Sequence, residues 1–183
     1  MDVTLLRALN ALRSPTLDAI VRPLNTWGFY LLPFLAVLAA VVRRDRRVAS
    51  DARDVVLAWF TATLLSEDVL KLVIHRPRPT AVPALRSVLH VLGRIPSAGS
   101  YAFPSGTAAA VFAASTALWI TSGPRIGIAA TVFAALVSAT RVYVGVHYPT
   151  DILGGALLGA AVAWLTIRTS RWIAAAPVSR RDR

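Results

Sequence analysis

The sequence predicts an all-α fold: a polytopic membrane bundle of five or six transmembrane helices, with an N-terminal amphipathic helix lying in the interface. Three observations carry the prediction. Hydrophobic residues make up 56% of the 183, and only 16% are charged, where a soluble domain carries about a quarter. The mean hydropathy is +0.59. Apolar segments alternate with Arg-rich turns, as in a chain that crosses a bilayer repeatedly. The length suits a single integral-membrane domain over residues 1–183.

Composition narrows the function classes. The formal net charge is +11, but the basic residues lie between apolar segments and do not interleave with aromatics on one face. Topology and anionic membrane lipids account for them; nucleic acid does not. The chain has no cysteine, which rules out disulfides and thiolate metal sites. Three histidines without a carboxylate cluster do not suggest a metal site. Every basic residue is Arg except Lys71, which makes that position stand out.

The elements follow in order. In the first two dozen residues, Leu5, Leu6, Leu9 and Leu12 recur at helical spacing, and Arg7, Arg13, Asp18 and Arg22 supply the polar side. That pattern is an interfacial helix; if it crosses the membrane, the spans number six. Its apolar core is too broken for a cleaved signal peptide. Five spans are expected at about Leu24–Val42, Val55–Ile74, Ser105–Thr121, Ile126–Val144 and Ile152–Ile167. Several are shorter than the roughly 20 residues a crossing needs, which is tolerated where a helix end dips into a protein-lined cavity. Gly155 and Gly159 form a small-xxx-small step for close helix packing. Trp27 and Trp172 read as interfacial anchors.

Orientation follows from arginine. The turn RRDRRVASDARD, the turn near Arg125 and the tail with Arg168, Arg171, Arg180, Arg181 and Arg183 fall on one side by alternation. That side is expected to be cytoplasmic. The other side carries residues 75–104 and 141–151. The connection 80–103 is the one long loop and the expected place for a lid or headgroup contacts. The expected location is a bacterial cell membrane, with the site facing outside the cytoplasm.

Three stretches on that outer side carry chemistry. In the first, Lys71 is followed after six residues by Arg78-Pro79. Proline ends the helix and stiffens the arm; Lys gives a point charge and Arg a fork for phosphate oxygens. Ordinary headgroup-level snorkelling is the alternative, and Arg76 is free to face solvent or headgroups. In the second, Ser105 is a good N-cap and Gly106 admits an anion to the free N–H groups of a helix start; a plain capped helix is the alternative. In the third, Arg141 precedes His147 by six positions and Asp151 follows four later. Pro149 suits the first helical position, so Asp151 falls in the first turn, within reach of one His147 ring nitrogen, leaving the other to attack or shuttle a proton. A capping Asp beside an interfacial His is the alternative. Glu67 and Asp68 lie deep in the second span and need partners there; Glu67, four residues before Lys71, is expected to pair with it and aim it.

Together these stretches resemble the type 2 phosphatidic acid phosphatase superfamily, membrane lipid phosphatases related to vanadium haloperoxidases. That family reads Lys-x6-Arg-Pro, then Pro-Ser-Gly-His, then Ser-Arg-x5-His-x3-Asp. The resemblance covers residues 71–151. It implies that Lys71, Arg78, Arg141, Ser105 and the Gly106 N–H cradle the phosphate. His147 would be the nucleophile of a phosphohistidine, and Asp151 would orient it. It implies no metal and no other cofactor, because three cations already face about two negative charges, a preorganised oxyanion site.

Two positions depart from the family. Thr140 replaces a Ser and keeps the hydroxyl. Thr107 stands where the family has its second His, the proton donor to the leaving oxygen. Four readings follow. The substrate has a good leaving group, as a polyprenyl diphosphate does; His75 or His90 supplies the proton; the chain binds lipid phosphates with little turnover; or Thr107 was introduced to trap an inactive form. A displaced alignment also fits, since Thr often follows that His. The favoured function is metal-independent hydrolysis of a lipid-linked phosphate or diphosphate. Polyprenyl diphosphate comes first as substrate, then phosphatidic acid or phosphatidylglycerophosphate. The other class is a lipid-phosphate binder without turnover. A transporter would want a polar path across the membrane, whereas the polar residues crowd one end.

Overall fold

The computed structural model describes residues 1–92 and 100–175. Residues 93–99 of the long connection, and Arg180, Arg181 and Arg183 of the tail, lie outside them.

The N-terminal region is two helices rather than the one interfacial helix expected. Helix α1, Asp2–Ala11, stops short, and α2 runs over Pro15–Arg43. Ser14 causes the break: it caps α2 by accepting from Leu17 N at 3.2 Å, and Pro15 takes the first turn. Helix α1 buries Leu6 and Asn10 and leaves Leu5 exposed, as is Leu12 just past its end. It is pinned to the bundle by Asn10, whose amide donates to the Tyr143 and His90 carbonyls at 2.8 and 3.0 Å.

Asp45 caps α3, Arg46–Leu64, accepting from Arg47 N at 2.6 Å. The expected second span then changes character. A π-helical stretch, Leu65–Leu70, leads into α4, Lys71–Ile74, which ends at His75 in the left-handed region with φ 51°. The arm Arg76–Pro79 leaves extended. Its Arg76 carbonyl accepts from Ala102 N at 2.8 Å, and Pro77 bridges Tyr101. A 3-10 turn, Pro79–Ala81, and α5, Pro83–Arg86, occupy the start of the long connection. Three helices complete the described residues: α6, Gly106–Ser122; α7, Pro124–Tyr143; and α8, Pro149–Ala175.

Helix α6 is the axis. It packs against α3, α7 and α8, while α2 closes on α3 and α7. Close approach comes from small residues. Ala109, Ala113, Ala114 and Ala117 are buried in α6, and a Cβ at Gly155 would lie 2.5 Å from the Ser105 carbonyl oxygen. Polar pairs add to the packing. Ser115 and Thr131 hydroxyls meet at 2.8 Å, and Trp59 Nε1 donates to the Phe29 carbonyl at 3.1 Å. Such bonds between membrane helices are worth about 0.6 kcal/mol on average.

Among the described residues, three helices are long and apolar enough to cross a membrane: Pro15–Arg43, Pro124–Tyr143 and Pro149–Ala174. Gly106–Ser122 is apolar but shorter. Large apolar side chains face outward, among them Phe34, Val132, Leu157 and Leu165. An outward belt of this kind suits lipid hydrocarbon, and the protein is an integral membrane protein.

Candidate active site

The arm, the start of α6 and the α7–α8 connection meet at one end of the bundle. Each is placed by a local device. Proline stiffens the arm. Ser105 Oγ caps α6 by accepting from Ala108 N at 3.4 Å, and Ser105 N donates to the Asp151 carbonyl at 3.0 Å. Pro149 starts α8, which puts Asp151 in its first turn. Lys71, Arg78, Ser105, Gly106, His147 and Asp151 are all buried; Arg141 is half-buried.

His147 is held from both sides. Its Nδ1 faces Asp151 Oδ2 at 3.4 Å, and its Nε2 lies 2.9 Å from Arg78 Nη1. A guanidinium only donates and a carboxylate only accepts. The proton therefore belongs on Nδ1, and Nε2 keeps its lone pair. Burial, and then the charges of Arg78, Arg141 and Lys71, push the imidazole well below the ordinary histidine range.

Arg78 also donates to Ser100 Oγ at 2.9 Å and to the Val146 carbonyl at 3.2 Å. Burial pushes its guanidinium below its ordinary value, opposed by the charges of Glu67 and Asp151. Arg141 Nη1 donates to Asn25 Oδ1 at 2.6 Å, and its buried Nε has no hydrogen-bond partner among the described residues. A buried donor in that condition is uncommon and suits an incoming acceptor. Lys71 Nζ donates to Glu67 Oε1, the i to i+4 pair expected from sequence. The π-helical stretch presents Glu67 toward α6, where a Cβ on Gly106 would collide with its carboxylate. Wide helical turns of this type recur at functional sites.

The remaining positions fall as follows. Arg76 does not simply face solvent or headgroups. Its Nη1 donates to Asp151 Oδ1 at 2.6 Å and its Nη2 to Asp2 Oδ2 at 2.6 Å. Ser105 is fully buried and its hydroxyl accepts as the expected N-cap, which leaves its own proton to donate. Thr140 turns its hydroxyl to the Val137 carbonyl at 2.6 Å. Thr107 is half-buried in the first turn of α6. His75 and His90 are exposed. His75 sits edge-on to Tyr101, and among the described residues neither imidazole bonds to a member of the cluster. Asn25 was missed, although a lone amide in an apolar span signals a buried partner. Among the described residues, no group of His, Cys, Asp and Glu is placed to hold a metal ion.

Known proteins resemble this chain in sequence and fold. A model of the PAP2 superfamily matches residues 51–174. The chain is 30% identical over 169 residues to the undecaprenyl-diphosphatase of Sulfolobus acidocaldarius, covering 91% of this chain and 77% of that protein. It is 30% identical over 176 residues to phosphatidylglycerophosphatase B of Bacillus subtilis, covering 90% and 80%. The crystal structure of Aquifex aeolicus LpxE superposes with a TM-score of 0.75 at 26% identity, covering 91% of this chain and 94% of that one.

Proposed function

The chain belongs to the PAP2 superfamily of lipid phosphatases, and from that premise we propose that it hydrolyses a lipid-linked diphosphate at the extracytoplasmic face through a phosphohistidine on His147. The observation that carries this reading is the two-sided hold on the imidazole. With Nδ1 directed to Asp151, Nε2 keeps its lone pair and meets Arg78 Nη1, and the charges of Arg141 and Lys71 also act on the imidazole.

The chemistry follows from that geometry. Lys71, Arg78 and Arg141 take the non-bridging oxygens, with the Gly106 N–H at the start of α6. The buried Arg141 Nε supplies a donor ready for one of them. Nε2 attacks phosphorus, the bond to the leaving oxygen breaks, and Asp151 stabilises the imidazolium. Water then attacks the phosphohistidine, returning His147 and releasing phosphate. The cations stabilise the five-coordinate transition state by preorganised charge, with no metal required.

Thr107 favours a diphosphate over a monoester. A hydroxyl is no acid near neutral pH, and general acid catalysis is worth about 10²–10⁴ in rate. A departing phosphate needs little protonation, and a departing lipid alkoxide needs much. The undecaprenyl-diphosphatase relative supports the diphosphate class; phosphatidylglycerophosphatase B keeps a monoester second. We read the whole chain as one domain with five spans, counting Gly106–Ser122 and the α3–α4 rod, in a bacterial cell membrane. The Arg-rich segment 43–54, which joins α2 to the start of α3, then faces the cytoplasm.

The test is phosphate release by purified protein from a polyprenyl diphosphate, phosphatidylglycerophosphate and phosphatidic acid side by side. Release that is fastest from the diphosphate is expected. Release from none of the three would sink the proposal.

A further inference from the structure

We propose that Arg76 is a positioning residue for the catalytic carboxylate, and that Asp2 at the start of α1 completes its hold. The inference rests on the proposed reaction, in which Asp151 orients His147. Asp151 is fully buried, and a buried carboxylate needs a partner for each oxygen. Oδ2 accepts from Tyr148 N at 2.8 Å and faces His147. Oδ1 is held by Arg76 Nη1 at 2.6 Å. The carboxylate is thus fixed at both oxygens, and its rotation, which sets where Oδ2 points, is governed by Arg76.

Arg76 is itself braced on four sides. Its guanidinium lies 4.2 Å from the centre of the Tyr148 ring, a cation–π contact. Nη1 also donates to Thr150 Oγ1 at 2.7 Å. Its carbonyl is tied to Ala102 N. Nη2 donates to Asp2 Oδ2, which also accepts from the Thr150 hydroxyl at 2.6 Å, while Asp2 Oδ1 accepts from Thr150 N at 3.1 Å. Helix α1 therefore does more than lie against the bundle. Its first residue clasps the arm to the start of α8 across the back of the His147–Asp151 pair. The fork shape matters, because one planar guanidinium holds two carboxylates in fixed directions, whereas the rotatable donors of an ammonium fix none.

The experiment measures kcat and KM on the diphosphate lipid for the full chain and for Arg76→Gln, Arg76→Lys, Asp2→Ala, Asp151→Asn and the double variant Arg76→Gln/Asp151→Asn, with Tm for each. Arg76→Gln should lower kcat by about 10²-fold, the scale of a misplaced catalytic group. Its KM should change less than about threefold, since the phosphate cations are untouched. Arg76→Lys should recover about tenfold of the loss, through charge without the fork. Asp2→Ala should cost about tenfold. The double-mutant cycle decides: in the Asp151→Asn background, Arg76→Gln should cost less than about threefold more, because its target is gone. A further loss of about 10²-fold there would mean that Arg76 acts independently of Asp151 and would overturn the inference. Wild-type protein that releases no phosphate would overturn the reaction, and the inference with it.

Discussion

Arg78 Nη1 lies 2.9 Å from His147 Nε2, so one cation of the proposed cradle bonds the nitrogen that the reaction assigns to attack. Attack requires that lone pair to be free. A phosphate oxygen entering between Arg78 and Arg141 is a stronger acceptor for the guanidinium than an imidazole, and drawing Arg78 onto it releases Nε2. Phosphate binding and nucleophile activation are then one movement.

The same contact fixes a pH dependence. His147 must be neutral to attack, and burial with Arg78, Arg141 and Lys71 holds it well below its ordinary 6.5. A lowered value means that protonation sets in only at lower pH, so the acidic limb of kcat/KM, which reports the free enzyme, should fall below pH 6.5. Arg78→Gln removes the first of those cations and should move the limb upward. Ionisation of the substrate's own phosphate, with a second pKa near ~6, would leave the limb unmoved by that substitution.

Thr107→His should restore a proton donor in the first turn of α6. Turnover of a lipid phosphate monoester should rise by about 10²-fold, within the range general acid catalysis supplies, and turnover of a diphosphate by less than tenfold. Equal gains on both, measured by phosphate release, would contradict the leaving-group explanation of Thr107.

Much of this site was legible because its parts are local in sequence. Lys71 to Arg78, Ser105 to Gly106 and His147 to Asp151 are short spacings, and a helix or a proline fixes where each sits. The Glu67–Lys71 pair lies one helical turn apart and was read from that alone. What was not legible joins distant segments. Asp2 to Arg76 spans 74 positions and Asn25 to Arg141 spans 116, and no periodicity announces either. The π-helical stretch Leu65–Leu70 was equally hidden, because one extra residue in a helical turn leaves no mark in the spacing of side chains. The boundary between α1 and α2 was written in Ser14-Pro15 but masked by the leucines that flank it.

The bundle itself makes a prediction at Gly159. A Cβ there would collide with the Ala109 carbonyl and lie 2.8 Å from Ala113 N. Those are backbone atoms of the central helix and cannot swing aside. Gly159→Ala should destabilise by about 1–3 kcal/mol, the usual scale of overpacking, and lower Tm in detergent. An unchanged Tm would mean that α6 and α8 are not in this contact.

The most direct measurement is to quench turnover of a diphosphate lipid labelled at its terminal phosphate into alkali and map the label by mass spectrometry, with His147→Ala alongside. Label on His147 that is acid-labile, together with loss of both label and turnover in His147→Ala, is the predicted result. Label on any other residue, or turnover surviving in His147→Ala, would contradict the phosphohistidine mechanism.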